Sequence, residues 1–196
     1  MCLNKYHFGE IPVPFKNINL NKGARQMDLL AMIAFLLPCY FANAAPVILG
    51  GGARMDFDIK LGDGGDLLGK TKTIRGFLGG VGIGIVVAGI ISVLFPMLIF
   101  GDQKTLFLSG VLLSIGALVG DAVGSFIKRR MGIESGKPLI LVDQLDFIAG
   151  ALVFAYPVAN SVYTLESIIF MVALTYVLHV ISNAAANKVG LKKVPW

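Results

Sequence analysis

The chain has 196 residues, of which 56% are hydrophobic and 15% are charged, and its mean hydropathy is +0.77. A soluble domain has roughly 45–50% apolar and about 25% charged residues, so this composition indicates an integral membrane protein. The formal net charge of +5 does not indicate nucleic-acid binding, because the cations lie in short loops between apolar runs. Cys2 and Cys39 offer neither a disulfide framework nor metal-ligand spacing.

Residues 1–26 form a polar segment without lasting periodicity, and this pattern predicts a loosely ordered or disordered N-terminal tail. Met27 directly precedes the first apolar run, so a tail that is not native to the protein is the alternative interpretation. Residues 27–196 are then expected to form a single polytopic membrane domain.

Five apolar runs follow, each of about 20 residues, which is enough to cross a hydrocarbon core of about 30 Å. They span 29–49, 77–100, 106–127, 139–158 and 165–186. The expected fold is therefore an all-α integral membrane protein with about five transmembrane helices. A signal peptide is the alternative for the first run, since Ala42-Asn43-Ala44 is similar to a cleavage site.

The second and third runs carry glycines four residues apart, a spacing that lets membrane helices approach closely. Packing within one chain is the expected use of these glycines, and a homodimer interface is the alternative. The glycines are Gly80, Gly84, Gly116, Gly120 and Gly124.

Between the first two runs lies the glycine loop, residues 50–76, in which backbone N–H groups can approach an anion closely. It is not a Walker A loop, because Gly69-Lys70-Thr71 lacks the upstream glycine at the required spacing. We expect the loop to be mobile when empty and to close over phosphate groups; a linker whose cations only set topology is the alternative. The side chains expected to bind are Lys70, Thr71, Lys72, Thr73 and Arg75.

The fifth run carries a polar stripe, His179, Asn183 and Asn187, that cannot favourably face lipid. Hydrogen bonding between helices and lining of a polar cavity are both open roles for it.

The distribution of Lys and Arg predicts the orientation. The glycine loop carries five, the 128–138 loop carries four and the C-terminus carries three, against Lys104 alone on the opposite side. This asymmetry places the glycine loop in the cytoplasm, so we expect a multi-pass cell-membrane protein with its site facing the cytoplasm. The cations of the N-terminal tail disagree with this orientation, since five spans place that tail outside.

Three acids lie in or beside apolar runs at this predicted cytoplasmic depth: Asp121, Asp143 and Asp146. Ionisable groups at such depth are costly and mark functional sites. Carboxylates provide the hard oxygen ligands that Mg²⁺ prefers, so we expect all three to bind Mg²⁺. Salt bridges to neighbouring arginines are the structural alternative.

On the helical spacing, Asp121, Ser125 and Lys128 share one face. Together with Arg129 and Arg130, Lys128 forms a cationic cluster that is suited to phosphate oxygens. The pattern predicts a phosphoryl-transfer site at a membrane surface, and headgroup anchoring is the alternative for the cations.

These residues resemble the signature of the phosphatidate cytidylyltransferase family: a serine, a Lys-Arg pair and a closing Asp-x-x-Asp. In this chain it reads Asp121, Ser125, Lys128-Arg129 and Asp143-Gln144-Leu145-Asp146. The chain departs from the family pattern at Gln144, which stands in place of an arginine, and it lacks a histidine-glycine-glycine stretch.

With these departures the chain looks like the archaeal branch, the CDP-archaeol synthases, over about 43–196. Further similar motifs are Asn43 with Pro46, Gly50-Gly51-Gly52, Asp63-Gly64, Lys72-Thr73-Ile74-Arg75-Gly76, His179 and Lys193-Val194-Pro195-Trp196. The resemblance implies a reaction of CTP with an unsaturated ether-lipid phosphate that releases pyrophosphate, with Mg²⁺. It implies catalytic roles for Asp121, Lys128, Arg129, Asp143 and Asp146, and substrate-binding roles for Asn43, Ser125, Arg130 and the five loop side chains given above.

A diacyl lipid substrate is the nearest alternative, because hydrophobic grooves discriminate chain chemistry weakly. CDP-alcohol phosphotransferases are disfavoured, since Asp63-Gly64 is not followed by their Ala-Arg pair and Asp143 and Asp146 are three residues apart rather than four. A small ion-binding transporter is the alternative from another class, but five spans give no equal halves and no repeat is apparent.

Overall fold

The structure is a computed structural model that describes residues 29–62, 64–97, 99–135, 137 and 139–190. The polar tail predicted over 1–26 lies outside the described residues, as do the C-terminal Lys193 to Trp196.

Helices make up nearly all the regular structure of the described residues. They are α1 (Leu29–Ala44), α2 (Pro46–Leu49), α3 (Ile74–Leu94), α4 (Gln103–Arg130), α5 (Ile140–Ala159), a 3-10 helix (Asn160–Val162) and α6 (Leu165–Lys188). Among these residues five helical spans are long and apolar enough to cross a membrane, with α1 and α2 counted as one span. The predicted all-α architecture with five spans is confirmed.

Two predicted helix bounds change because local signals were overlooked. The second span starts at Ile74 rather than residue 77, since the Thr73 hydroxyl caps it by accepting from the Gly76 N–H at 3.2 Å. It ends at Leu94 rather than residue 100, because Pro96 disfavours a helical conformation at Phe95.

Helix α4 extends beyond the predicted run at both ends. Asp102 caps its start by accepting from the N–H groups of Lys104 at 2.9 Å and Thr105 at 3.2 Å. Its last turn contains Lys128, Arg129 and Arg130, and cations there interact favourably with the helix dipole.

Helix α4 is central and packs against α1, α3 and most extensively α5. Gly116 and Gly120 face α5, where a Cβ at either position would overlap the main chain of Gly150 or Asp146. Gly80 and Gly84 of α3 are in similarly close contact with α1 and α4. The predicted close packing is confirmed within one chain, so a homodimer would have to use other faces.

Helix α6 lies at the edge of the bundle and packs mainly against α5. The Tyr40 hydroxyl connects it to α1 through a 2.9 Å hydrogen bond with Thr175 Oγ1. The rings of His179 and Phe147 have centroids 5.8 Å apart, and Asn183 is buried. The polar stripe therefore faces the protein along this part of α6.

Candidate active site

The glycine loop is organised around one buried carboxylate, Asp56, which is only 1% exposed. Its Oδ2 accepts from the N–H groups of Leu68 at 3.0 Å and Gly69 at 3.1 Å, and its Oδ1 accepts from Asp58 at 3.2 Å. These bonds join the two arms of the loop and fix the turn at Gly69, where φ is +97° and glycine is favoured.

Arg54 neutralises this carboxylate and extends the network. Its guanidinium forms ion pairs with Asp56 at 3.2 Å, with Asp66 at 3.0 Å and with Asp58. Burial alone would raise the pKa of the Asp56 carboxyl, but the three backbone N–H donors and Arg54 outweigh burial and lower its pKa. Asp56 therefore stays ionised and keeps its acceptors available to the loop.

The ordered loop lies against the ends of α4 and α5. Lys72 Nζ is 2.5 Å from Asp121 Oδ2, and Arg130 donates from Nη2 to the Asp66 carbonyl oxygen at 2.6 Å. A Cβ at Gly69 would contact the Ser135 hydroxyl and the Arg129 side chain. The glycine loop and the start of the α4–α5 connection thus form one polar surface at one end of the bundle.

The three acids predicted from sequence meet at this surface. Asp143, near the start of α5, accepts both from Lys128 Nζ, at 2.7 and 2.8 Å, and from the Leu139 N–H at 2.9 Å. The Asp146 carboxylate lies against Gly124 of α4, where no Cβ intervenes, and it is within electrostatic reach of Asp121 and Asp143. The acids from two helices therefore form one cluster.

The three residues of the cationic cluster at the end of α4 make different contacts. Lys128 is 8% exposed and is paired with Asp143. Arg130 holds the loop and also lies over the Phe126 ring, 5.4 Å from its centroid. Arg129 has a buried donor, Nε, beside the Gly69 turn that makes no hydrogen bond to the described residues.

The other residues predicted for this site lie in varied surroundings. Ser125 is buried in α4, and Asn43 is half-buried in the last turn of α1. Lys70 and Thr71 are exposed next to the Gly69 turn. The Thr73 hydroxyl accepts from the N–H groups of Gly51 and Gly76, both at 3.2 Å, so it shapes the loop and caps α3.

Arg75 lies apart from the acids. It lines an apolar groove between α2 and the start of α3, together with Leu49 and Leu78. Arg75 is the second residue of α3, whereas Lys72 lies in the loop before the Thr73 cap.

A second apolar groove, of about 590 Å³, runs between α4 and α5. Its walls include Val123, Ile127 and Val153, which are exposed on the outside of the bundle and would face lipid in a membrane. Asp146 lines the same groove. An acid of the polar cluster is therefore reached directly from an apolar, lipid-facing channel.

The acid cluster fits Mg²⁺ in donor chemistry, because it offers three carboxylates from adjacent helices. Over the ranges that the structure describes, no group of three or more His, Cys, Asp or Glu residues is arranged to hold a metal ion. Lysine ammonium groups lie against two of the three carboxylates.

Sequence reasoning missed Arg54, Asp56 and Asp66, which shape the loop. The available signal was weak: an aspartate whose side chain bonds the backbone N–H two residues later is common in turns, and Asp56 and Asp58 have this spacing. The pairing of Asp56 with Leu68 and Gly69, twelve and thirteen residues away, leaves no local pattern.

Comparison with known proteins gives a consistent result. Residues 26–196 match a family model described as CarS-like: CDP-archaeol synthase. A CDP-archaeol synthase of Thermococcus gammatolerans is 46% identical over 162 residues, which are 83% of this chain and 93% of that protein. A CDP-archaeol synthase of Methanocaldococcus jannaschii is 43% identical over 174 residues, covering 86% of this chain and 97% of that protein.

Among solved structures, an intramembrane enzyme for archaeal membrane lipid biosynthesis is similar, with a TM-score of 0.73 and 36% identity. The match covers 80% of this chain and 94% of that one. The similarity therefore extends over the helical bundle rather than over one motif.

Proposed function

The chain belongs to the CDP-archaeol synthase family, and from this premise we propose the reaction that the site carries out. The cytidylyl group of CTP is transferred to the phosphate of an unsaturated archaeal ether lipid, 2,3-di-O-geranylgeranylglyceryl phosphate. The products are CDP-archaeol and pyrophosphate.

One observation supports this proposal most directly: Asp146 belongs both to the acid cluster and to the apolar groove between α4 and α5. A lipid phosphate needs such a place, because its chains can lie along Val123, Ile127 and Val153 while its headgroup reaches the polar surface. A water-soluble phosphate acceptor would not require an apolar channel that ends at the reacting groups.

The chemistry requires little from the protein beyond position and charge. The second pKa of a phosphate monoester is about 6, so the lipid phosphate is already an anionic nucleophile at neutral pH. One of its oxygens forms a bond to the α-phosphorus of CTP, and the bond from that phosphorus to the bridging oxygen breaks as pyrophosphate leaves. No protein nucleophile or general base is needed, so the residues must hold two polyanions in line.

We propose that the cations beside the acid cluster bind these two anions. Arg129 can donate to phosphate oxygens from its unpartnered buried Nε, and Lys70 and Thr71 are exposed next to it at the Gly69 turn. We propose Mg²⁺ as the cofactor, held by Asp121, Asp143 and Asp146. When bound, it would neutralise the negative charge of the two phosphate groups.

We further propose that this end of the bundle faces the cytoplasm, where CTP is available. The Lys and Arg asymmetry supports this orientation: Arg54, Lys60, Lys70 and Lys72 lie in the loop before α3, whereas the described residues of the 95–102 and 160–164 connections carry no Lys or Arg. Cysteine labelling of exposed Lys60→Cys, compared with Asn160→Cys, by a membrane-impermeant reagent on intact cells and lysed cells tests it. Labelling of the Lys60 site in intact cells would reverse the orientation.

The test of the reaction is pyrophosphate release by protein purified in detergent. CTP is compared with the other three nucleoside triphosphates, and the geranylgeranyl ether lipid phosphate is compared with a diacyl phosphatidate. We expect turnover with CTP and the ether lipid; turnover with the diacyl lipid at an equal or higher rate would contradict the lipid assignment.

The site assignment is tested by Asp121→Asn, Asp143→Asn and Asp146→Asn. Each should lower kcat by about 10²-fold or more, because each removes a carboxylate proposed to hold the Mg²⁺ that neutralises the reacting phosphates. Asp102→Asn is a matched control: it makes the same change in α4 at the opposite end of the helix, where asparagine also caps well. Near-normal turnover for one of the three variants would remove that aspartate from the site.

A further inference from the structure

Two lysines lie directly on two of the three clustered acids. Lys128 Nζ contacts both carboxylate oxygens of Asp143, at 2.7 and 2.8 Å, and Lys72 Nζ is 2.5 Å from Asp121. Both lysine side chains are well shielded, with 10% of the Lys128 side chain and 18% of the Lys72 side chain exposed. These are therefore site contacts and not solvated surface pairs.

The two ion pairs reduce the electrostatic repulsion among the three carboxylates of the cluster. Carboxylates brought together in a partly buried site repel one another, and neutralisation by nearby cations reduces that cost. Two ammonium groups carry the same total charge as one divalent cation. The two lysines lie on Asp121 and Asp143, two of the three carboxylates that the proposed function assigns to the metal.

We propose that Lys72 and Lys128 are exchangeable counterions of this cluster. They pair with Asp121 and Asp143, and they transfer to phosphate oxygens when a divalent cation and the nucleotide bind together. This inference rests on the metal and nucleotide sites of the proposed function. It adds that the two ligands bind with positive coupling.

The coupling follows from the charges. A divalent cation alone would have to displace two ammonium groups from the carboxylates that they contact, with no phosphate present to receive them. A triphosphate alone would bring its negative charge next to three carboxylates. When both arrive, the metal neutralises the acids and the phosphates receive the lysines, so each ligand removes the cost of the other.

The two lysines and their acids have the freedom that an exchange requires. Lys72 and Lys128 each carry the ammonium group on a flexible four-carbon stem, so the side chains can move while the main chains of the loop and of α4 stay in place. Asp143 keeps the Leu139 N–H as a donor at 2.9 Å when Lys128 leaves. Asp146 carries no lysine at hydrogen-bond distance among the described contacts and remains in place against Gly124.

The experiment removes the charge while keeping the length of the side chain, with Lys72→Met and Lys128→Met in the full chain. Binding of Mn²⁺ alone is measured by electron paramagnetic resonance without nucleotide, and binding of CTP is measured by equilibrium dialysis in saturating Mg²⁺. Lys104→Met, near the opposite end of α4, is the control. Thermal melting identifies any variant that has not folded.

We expect changes of opposite sign. Mn²⁺ alone should bind at least about 10-fold more tightly to each variant than to the unmodified protein, because the competing ammonium is gone, while CTP in Mg²⁺ should bind at least about 10-fold more weakly. Two variants are used because Lys128 is buried; if Lys128→Met does not fold, Lys72→Met on the loop decides the matter.

Three results separate the possibilities. If Mn²⁺ binds the unmodified protein as tightly as the variants, the exchange is refuted while the metal site stands. If the variants bind both Mn²⁺ and CTP more tightly, the lysines are fixed counterions and do not move to phosphate. If neither protein binds Mn²⁺, with or without CTP, and the Asp→Asn variants stay active, the metal site of the proposed function fails as well.

Discussion

Gly124 is the position where a single methyl group should disable the site without touching a charged residue. A Cβ there would lie 2.7 Å from Cγ and 2.8 Å from Cβ of Asp146 and would overlap its Oδ2. The helices cannot separate easily to make room, because Gly120 and Gly150 hold the main chains of α4 and α5 together one turn away. In Gly124→Ala the Asp146 side chain itself must therefore move.

The size of the effect follows from these distances. Non-bonded carbons prefer a separation of about 3.5–4.0 Å, so the Asp146 carboxylate is displaced by about 1 Å. A misplacement of about 1 Å at reacting groups can lower turnover by about 10²-fold. Overpacking of this kind also costs about 1–3 kcal/mol of stability.

The assay is pyrophosphate release together with thermal melting in detergent, with two matched glycine controls. Gly82→Ala has no atom within 4 Å of the added Cβ and should change neither quantity. Gly116→Ala overlaps the α5 main chain and Phe154 away from Asp146, so it should lower the melting temperature with a smaller loss of kcat. A Gly124→Ala variant with a lowered melting temperature and wild-type kcat would refute the placement of Asp146 in the reaction.

Three further predictions concern the polar surface. Arg129→Ala should raise the KM for CTP by about 10-fold, since a charged hydrogen bond contributes about 1.5–3 kcal/mol; an unchanged KM would leave Arg129 as a headgroup anchor. Hydrogen exchange across residues 50–76 should slow when CTP and Mg²⁺ are added, and unchanged exchange at saturating CTP would make the loop a linker. Because the folded pKa of Asp56 is lowered, its contribution to stability is full above the unfolded value of 3.8 and is lost as pH falls through the folded pKa. Asp56→Asn should flatten this acid limb of a melting-temperature profile, and an unaltered limb would contradict the role of Asp56.

The spans could be predicted and the acids selected from the sequence alone, because a membrane restricts both the backbone structure and the positions of charged residues. Unpaired backbone groups are not tolerated in lipid, so long apolar runs must be helices, and acids in or beside them stand out. Asp121, Asp143 and Asp146 were selected in this way and their roles in the reaction stay a prediction, whereas the family resemblance is confirmed.

The internal structure of the glycine loop could not be predicted in the same way. Phe57 and Asp58 adopt positive φ values of 49° and 61°, which bulky residues rarely do, and the bonds of Asp56 hold that conformation. The structure shows the loop hydrogen-bonded around the buried Asp56 carboxylate, and its mobility without ligand stays a prediction. Its closure over CTP stays a prediction. Arg75 was expected to bind the triphosphate together with Lys72, but it lies within α3 and lines an apolar groove.

The length of α4 makes this protein sensitive to the thickness of the bilayer around it. Its 28 residues rise by 1.5 Å each, so the helix is about 42 Å long, against a hydrocarbon core of about 30 Å. Asp121 lies 18 residues after Gln103, at about 27 Å along the axis, a distance close to the thickness of the hydrocarbon core. A thicker bilayer would draw the carboxylates into hydrocarbon or reduce the tilt of α4. A thinner bilayer would expose to water the end of the α4–α5 groove that lies next to Asp146. Reconstitution in lipids of graded chain length should therefore give a maximum of turnover at one thickness.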